Sequence, residues 1–251
     1  MDRLDGQVAF ITGGGRGLGQ AAAQAFAAAG AAVGVVDVDA GAAEETVARI
    51  VASGGRARAY TADVASRDAV AAAAENLVGE FGRLDAIVNS AIVFRYEPIA
   101  TVSEDTWQRM SSVALAGLLW TAQAAERHMD RQRGGSIVNF SSPVADRGHA
   151  NTAVYTTLKG GVVAMTRALA VEFGPRRIRV NALCPGAIPT PGGRTLSSDA
   201  VYEARRNRTP IGRLGTPEEV GAMALFLATP AAALITGEII HLDGGATMRG
   251  E

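Results

Sequence analysis

Cysteine is close to absent. Cys184 stands alone among 251 residues, which excludes an intrachain disulfide and suits a reducing compartment. Lysine is equally scarce: of 24 basic residues only Lys159 is a lysine, and the rest are arginines. Neither sign of charge is in excess. The net charge is -1 with a pI near 6.3, so no basic face recommends nucleic acid or an anionic membrane as a partner. The 3 histidines are scattered, and no His/Cys/acid cluster has metal-ligand spacing, so no metal is expected. No apolar run approaches the roughly 18 uncharged residues of a membrane-spanning helix. The start, Met1 to Asp5, lacks the pattern of a secretion signal and leads to the expectation of a cytoplasmic protein.

What is abundant is apolar residue, 48% of the chain, ample for one large core. Short β-branched runs at Val8–Thr12, Ala32–Asp37, Ala57–Thr61, Ala86–Asn89, Ser136–Ser141, Arg179–Leu183 and Glu238–Leu242 read as strands. Between them, Gly17–Ala29, Ala42–Ser53, Asp68–Phe81, Glu104–Arg131, Ala153–Phe173 and Pro217–Ala228 read as helices. Continuously apolar strands separated by helices imply a parallel sheet covered on both faces. The expected architecture is therefore α/β: one Rossmann-like, doubly wound domain spanning residues 1–251. A proline- and glycine-bearing stretch at about 187–210 with Arg194, Arg205, Arg206 and Arg208 interrupts the alternation. It reads as a substrate-loop excursion with a short helix.

The first strand runs into Thr12-Gly13-Gly14-Gly15-Arg16-Gly17-Leu18-Gly19. Glycines let backbone turn tightly and approach a ligand, and the helix that follows offers free amides to a pyrophosphate. The spacing is Thr-Gly-xxx-Gly-x-Gly, not the G-x-G-x-x-G fingerprint. A plain strand-to-helix turn is the bland alternative. Against it stands Asp37, which closes the second strand 20 residues beyond Gly17. A carboxylate there accepts hydrogen bonds from an adenosine ribose and repels a 2′-phosphate, favouring NAD over NADP. Arg16, in the same region, leans the other way, and Asp39 reads as an exposed turn residue.

Tyr155 and Lys159 are spaced i to i+4, which on a helix puts both on one face with Cβ atoms roughly 6 Å apart. A compact ammonium beside a phenol is a way to make a base near neutral pH. With these features the chain resembles the short-chain dehydrogenase/reductase family, in particular its 3-oxoacyl-carrier-protein-reductase-like, NAD-dependent members, over nearly its whole length. The family's Tyr-xxx-Lys is matched by Tyr155 and Lys159, and its serine by Ser142, with Ser141 a structural neighbour. Asp63 and Val64 match the pair at the adenine, and Asn89-Ser90-Ala91 most of an Asn-Asn-Ala-Gly segment near the adenosine. Pro185, Gly186, Ile188 and Thr190 match the segment at the nicotinamide carboxamide and phosphates. The resemblance implies cofactor contacts from Gly13, Arg16, Gly17, Leu18, Gly19, Asp37 and these residues. It also implies Tyr155 as general acid/base, Ser142 on the substrate oxygen, and Lys159 both lowering the phenol's pKa and reaching the nicotinamide ribose. Because the terminal strand, Glu238 to Leu242, lies in a tetramer interface in many relatives, a homotetramer, or a homodimer, is implied.

Two positions depart from the family pattern. Ala114 stands where an asparagine holds a water of a proton relay, so Ala114→Asn is expected to raise turnover. Ile92 replaces a glycine and is expected to fill space near the nicotinamide end. His149, Asn151 and Arg95 read as polar surface more than as substrate ligands, and Cys184 as inert packing. The leading function is an oxidoreductase moving hydride between NAD(H) and a secondary alcohol or ketone. The alternatives are a retained-cofactor enzyme of dehydration or epimerisation and a non-catalytic NAD-binding sensor.

Overall fold

The computed structural model describes residues 3–194 and 197–248. Met1 and Asp2 of the leader reading, and residues 195–196 of the excursion, lie outside them. One seven-stranded sheet has the order β3-β2-β1-β4-β5-β6-β7. Its strands are β1 (Val8–Thr12), β2 (Ala32–Asp37), β3 (Arg56–Thr61), β4 (Ala86–Asn89), β5 (Gly135–Phe140), β6 (Ile178–Pro185) and β7 (Ile239–Leu242). All six pairings are parallel. The doubly wound α/β architecture expected from the alternation is the one observed.

The pleat explains how one apolar strand serves two layers. In β1, Ala9 and Ile11 face one side and pack with Phe26 of α1 (Gly17–Ala28) and with Val220, Ala224 and Leu227 of α9 (Pro217–Ala228). Val8 and Phe10 face the other, against Leu77 of α3 (Arg67–Phe81), Ala125 of α5 (Gly117–His128) and Phe173 of α6 (Ala153–Phe173). Full burial of each large side chain contributes about 1.5–3 kcal/mol. The chain winds outward from β1 through β2 to β3, then returns to place β4 on the other side of β1. That reversal opens a crevice at the carboxyl ends of β1 and β4, the position where such sheets bind ligands.

The helix expected over Glu104–Arg131 is not continuous. It is α4 (Glu104–Ser111), a π turn at Ser112–Ala116, and α5, which ends at His128. Ser111 and Ser112 both donate their hydroxyls to the Gln108 carbonyl, at 3.2 and 2.6 Å. Those side-chain bonds compete with the main-chain ladder at the point where the extra residue enters it. The excursion holds two helical segments, α7 (Pro191–Arg194) and α8 (Asp199–Arg208). The remaining helix, α2 (Ala40–Ala52), follows β2.

Candidate active site

The glycine loop is shaped by contacts that leave no room for side chains. Gly13 has φ +62°, and a Cβ there would lie 2.7 Å from the Ala91 main chain; a Cβ on Gly19 would lie 2.1 Å from the Gly13 carbonyl oxygen. Gly17 differs: at φ +57° its only near neighbour would be the Thr190 side chain, at 3.6 Å. Its outer face is open, and no side chain caps the first turn of α1 behind it. Uncapped amides at an open, glycine-lined helix start fit a pyrophosphate.

Asp37, at the end of β2, accepts from Gly15 N at 2.9 Å and Asp39 N at 3.0 Å, one donor on each oxygen. A carboxylate has about four acceptor positions, so lone pairs remain on both oxygens for a ligand diol. Asp39 is more than a turn residue. It caps α2 through Ala42 N at 3.1 Å and pairs with the Arg16 guanidinium at 2.6 Å. The Arg16 charge thus meets a carboxylate of the chain itself, which sequence reading missed.

Asp63 accepts from Ala65 N at 3.0 Å and from Arg109 of α4 at 2.7 Å. Burial pushes its pKa up, but the Ala65 amide and the Arg109 guanidinium outweigh this and hold it below the usual value. Val64 is buried with Val70 and Val113. Asn89 is buried and donates to Asn139 at 2.9 Å, and Asn139 donates to Thr166 of α6 at 3.0 Å. Ala91 N donates to Thr12 Oγ1 at 3.4 Å, tying the end of β4 to the glycine loop. Gly186 N donates to Leu242 O at 3.0 Å, while Ile188 turns into the core and Thr190 Oγ1 accepts from Gly193 N at 3.1 Å.

Ser142, Tyr155 and Lys159 converge beside this crevice. Ser142 follows β5, and its hydroxyl lies close enough to the Tyr155 phenol to lower that group's pKa. Lys159 lies one helical turn on from Tyr155, with Nζ 5.8 Å from the phenol ring centroid. Lys159 is buried; its Nζ donates to Phe140 O at 2.6 Å, and its carbonyl accepts from Ser141 Oγ at 3.0 Å. Ser141 is the structural neighbour it was read to be. Burial lowers the Lys159 pKa to about 8. Burial pushes the Tyr155 pKa above its ordinary value, the neighbouring Tyr96 adds to this, and Ser142 offsets only part. Tyr155 rests as a protonated acid.

Around the phenol lies an aromatic wall absent from the sequence reading. Phe94 and Tyr96 sit 5.8 and 5.6 Å from the Tyr155 ring, the latter edge-on. Tyr96 also feels Arg205 and Tyr202 of α8, so the excursion faces the site. Arg95 is exposed, and His149 and Asn151 line a cleft of about 520 Å³ with Ile99 and Thr156. Cys184 is fully buried.

Ala114 lies in the π turn and packs with Met110 and Leu158; Ile92 and Tyr155 pack on the same cluster. The two departures from the family pattern therefore share one apolar space. Packing revises the turnover expected of Ala114→Asn: the amide would overfill a cluster that Ile92 already occupies. We expect the single variant to lose about 1–3 kcal/mol of stability, seen as a lower Tm. Adding Ile92→Gly should lessen the penalty attributable to Ala114→Asn. Equal penalties in both backgrounds would show that the two sites do not couple.

Comparison with known proteins identifies the family. The family model described as enoyl-(acyl carrier protein) reductase matches residues 13–247. The chain is 43% identical to the short-chain reductase protein NovJ of Streptomyces niveus, covering 95% of this chain and 93% of that one. A 7α-hydroxysteroid dehydrogenase solved with NADH and 7-oxo glycochenodeoxycholic acid superposes with a TM-score of 0.93 at 33% identity, covering 97% and 95% of the two chains. A short-chain dehydrogenase from Burkholderia cenocepacia J2315, solved with NADP, superposes with a TM-score of 0.91 at 35% identity, covering 98% and 99%. The chain belongs to the short-chain dehydrogenase/reductase family. It is an oxidoreductase that uses a nicotinamide dinucleotide for hydride transfer with alcohol or ketone substrates.

Proposed function

We propose that the protein interconverts a secondary alcohol and its ketone with NAD(H) as the preferred partner. The observation that carries the reading is the convergence of Ser142, Tyr155 and Lys159, with Ser142 beside the phenol and Lys159 Nζ 5.8 Å from its ring centroid. When bound, the nicotinamide supplies the hydride acceptor or donor. In reduction Tyr155 gives its proton to the substrate oxygen. Ser142 hydrogen-bonds that oxygen as charge develops on it. Lys159 reaches a ribose hydroxyl from its buried seat and carries protons to and from Tyr155. In oxidation the phenol must lose its proton. A free tyrosine, with pKa about 10, is about 99.9% protonated at pH 7, so positive charge brought next to it decides the rate.

The preference for NAD rests on Asp37, whose two oxygens keep acceptor capacity, and on Asp39, which engages Arg16. Gly13, Gly17, Leu18 and Gly19 cradle the phosphates, and Asp63, Val64, Asn89 and Ala91 border the adenosine. Pro185, Gly186, Ile188 and Thr190 hold the nicotinamide end, Ile188 through its main chain because its side chain packs inward. A homotetramer is the assembly proposed. Leu234 is 98% and Val171 80% exposed, and β7 leaves one edge of the sheet unpaired; light scattering after gel filtration would give the assembly's mass. A reducing, cytoplasmic setting suits the free Cys184.

The test is a panel of secondary alcohols and ketones with NAD and NADP in parallel. Stoichiometric NADH with an alcohol supports the reading. Product without net change in NADH would replace it with retained-cofactor chemistry, and tight binding without turnover with a sensor.

A further inference from the structure

A second pair of side chains bears on the serine. Ser142 opens a one-turn 3-10 segment, Pro143–Ala145, and Asp146 closes it. The segment is a tight unit: Ala145 N donates to Ser142 O at 3.0 Å, Asp146 N to Pro143 O at 3.2 Å, and Val144 N to Ser142 Oγ at 3.4 Å. Whatever holds Asp146 therefore holds Ser142. The Asp146 carboxylate is bonded to His241 Nε2 at 2.6 Å, across 95 residues of sequence. His241 lies on β7 in register with Cys184 of β6, and the next pair is Pro185 with Leu242. The other carboxylate near His241, Asp243, is taken up by Gly245 N, Thr247 N and Thr247 Oγ1, so it does not compete. The contact thus joins the turn that carries Ser142 to the strand end that carries Pro185 and Gly186, passing over β6.

We propose that Asp146 and His241 are positioning residues for Ser142, fixing its turn against the Pro185–Gly186 strand end so that the hydroxyl meets the substrate oxygen. The proposal rests on the role given to Ser142 above. Side-chain exposures of 43% for Asp146 and 22% for His241 limit its strength: a partly exposed pair contributes a factor of no more than about five. The pair accordingly tunes kcat, and cofactor binding changes little because Gly186 N keeps its own bond to Leu242 O.

The test uses Asp146→Ala, His241→Phe and the double variant, assayed with the panel alcohol that turns over fastest. Each single variant should lower kcat about three- to fivefold, with the Kd for NAD unchanged, and the double should fall no further than either single. His241→Gln and Asp146→Asn, which keep a donor facing an acceptor, should restore most of the rate. Independently of any substrate, amide exchange at Ala145 and Asp146 should quicken by a similar factor in the alanine and phenylalanine variants. Unchanged kcat and exchange, losses that multiply in the double, or failure of the conservative variants to rescue would overturn the proposal. If His241→Phe does not fold, the other three variants decide. Ser142→Ala separates the two readings. If it loses turnover while the pair variants do not, only the pair falls; if it keeps turnover, the role of Ser142 falls with it.

Discussion

Tyr155→Phe is expected to lower kcat by about 10²–10⁴-fold while leaving the fold and dinucleotide affinity close to those of the native protein. The ring makes the packing contacts and the hydroxyl makes the chemistry. Phenylalanine keeps the ring contacts with Phe94 and Tyr96 and the contact with the Met110–Ala114–Leu158 cluster. What is lost is the phenol hydroxyl beside Ser142, whose pKa burial pushes upward. Stopped-flow reduction of a ketone with NADH, together with a thermal melt, checks both halves. A variant that binds NADH, melts with the native protein and still turns over within tenfold would sink the assignment of Tyr155 as acid/base. The same elevation of the phenol predicts asymmetry: reduction needs a proton donor that is already loaded, whereas oxidation must first empty it.

The second large effect concerns the cofactor. Asp37→Ala should weaken NAD binding by about 10²-fold, the scale of two hydrogen bonds to a charged acceptor. It should at the same time raise affinity for NADP by removing a carboxylate that repels the 2′-phosphate. Adding Asp39→Ala should raise NADP affinity further, because Arg16 then loses its 2.6 Å partner and can turn to the phosphate. The charge change alone would give an effect that fades with salt, since both side chains of the Arg16 pair are largely exposed. Fluorescence titration with each dinucleotide reads the ratio directly. If the native protein binds NADP more tightly than NAD, the argument from Asp37 fails at its first step.

Much of the molecule was legible because its signals are local. A strand that is apolar at every position but its last has to be covered on both faces, so β1, β2 and β4 announced the parallel sheet from their residue types. The glycine loop was equally readable, since backbone at positive φ and at van der Waals distance from Ala91 admits little else. Tyr155 and Lys159 needed only the period of a helix. The break in the helix at Ser112–Ala116 was not read, because it depends on hydroxyls finding the Gln108 carbonyl and not on any breaker residue.

What stayed hidden joins residues far apart in the chain. Arg109 meets Asp63 across 46 positions, and Arg16 meets Asp39 across 23. An arginine carries no mark of which carboxylate it will find, so neither pairing was legible in the sequence. Ala114 and Ile92 read as two separate departures until packing put them in one cluster. Lysine at 159 was a compositional oddity with a chemical rationale, but its direction was not in the sequence. The chain alone determined that a lone ammonium would stand one turn from a phenol. The tertiary structure decided that Lys159 is buried and donates to Phe140 O, and that burial pushes the phenol's pKa upward. Spacing along a helix sets which side chains are neighbours, whereas a pKa is set by how much water and which charges the whole fold leaves around them.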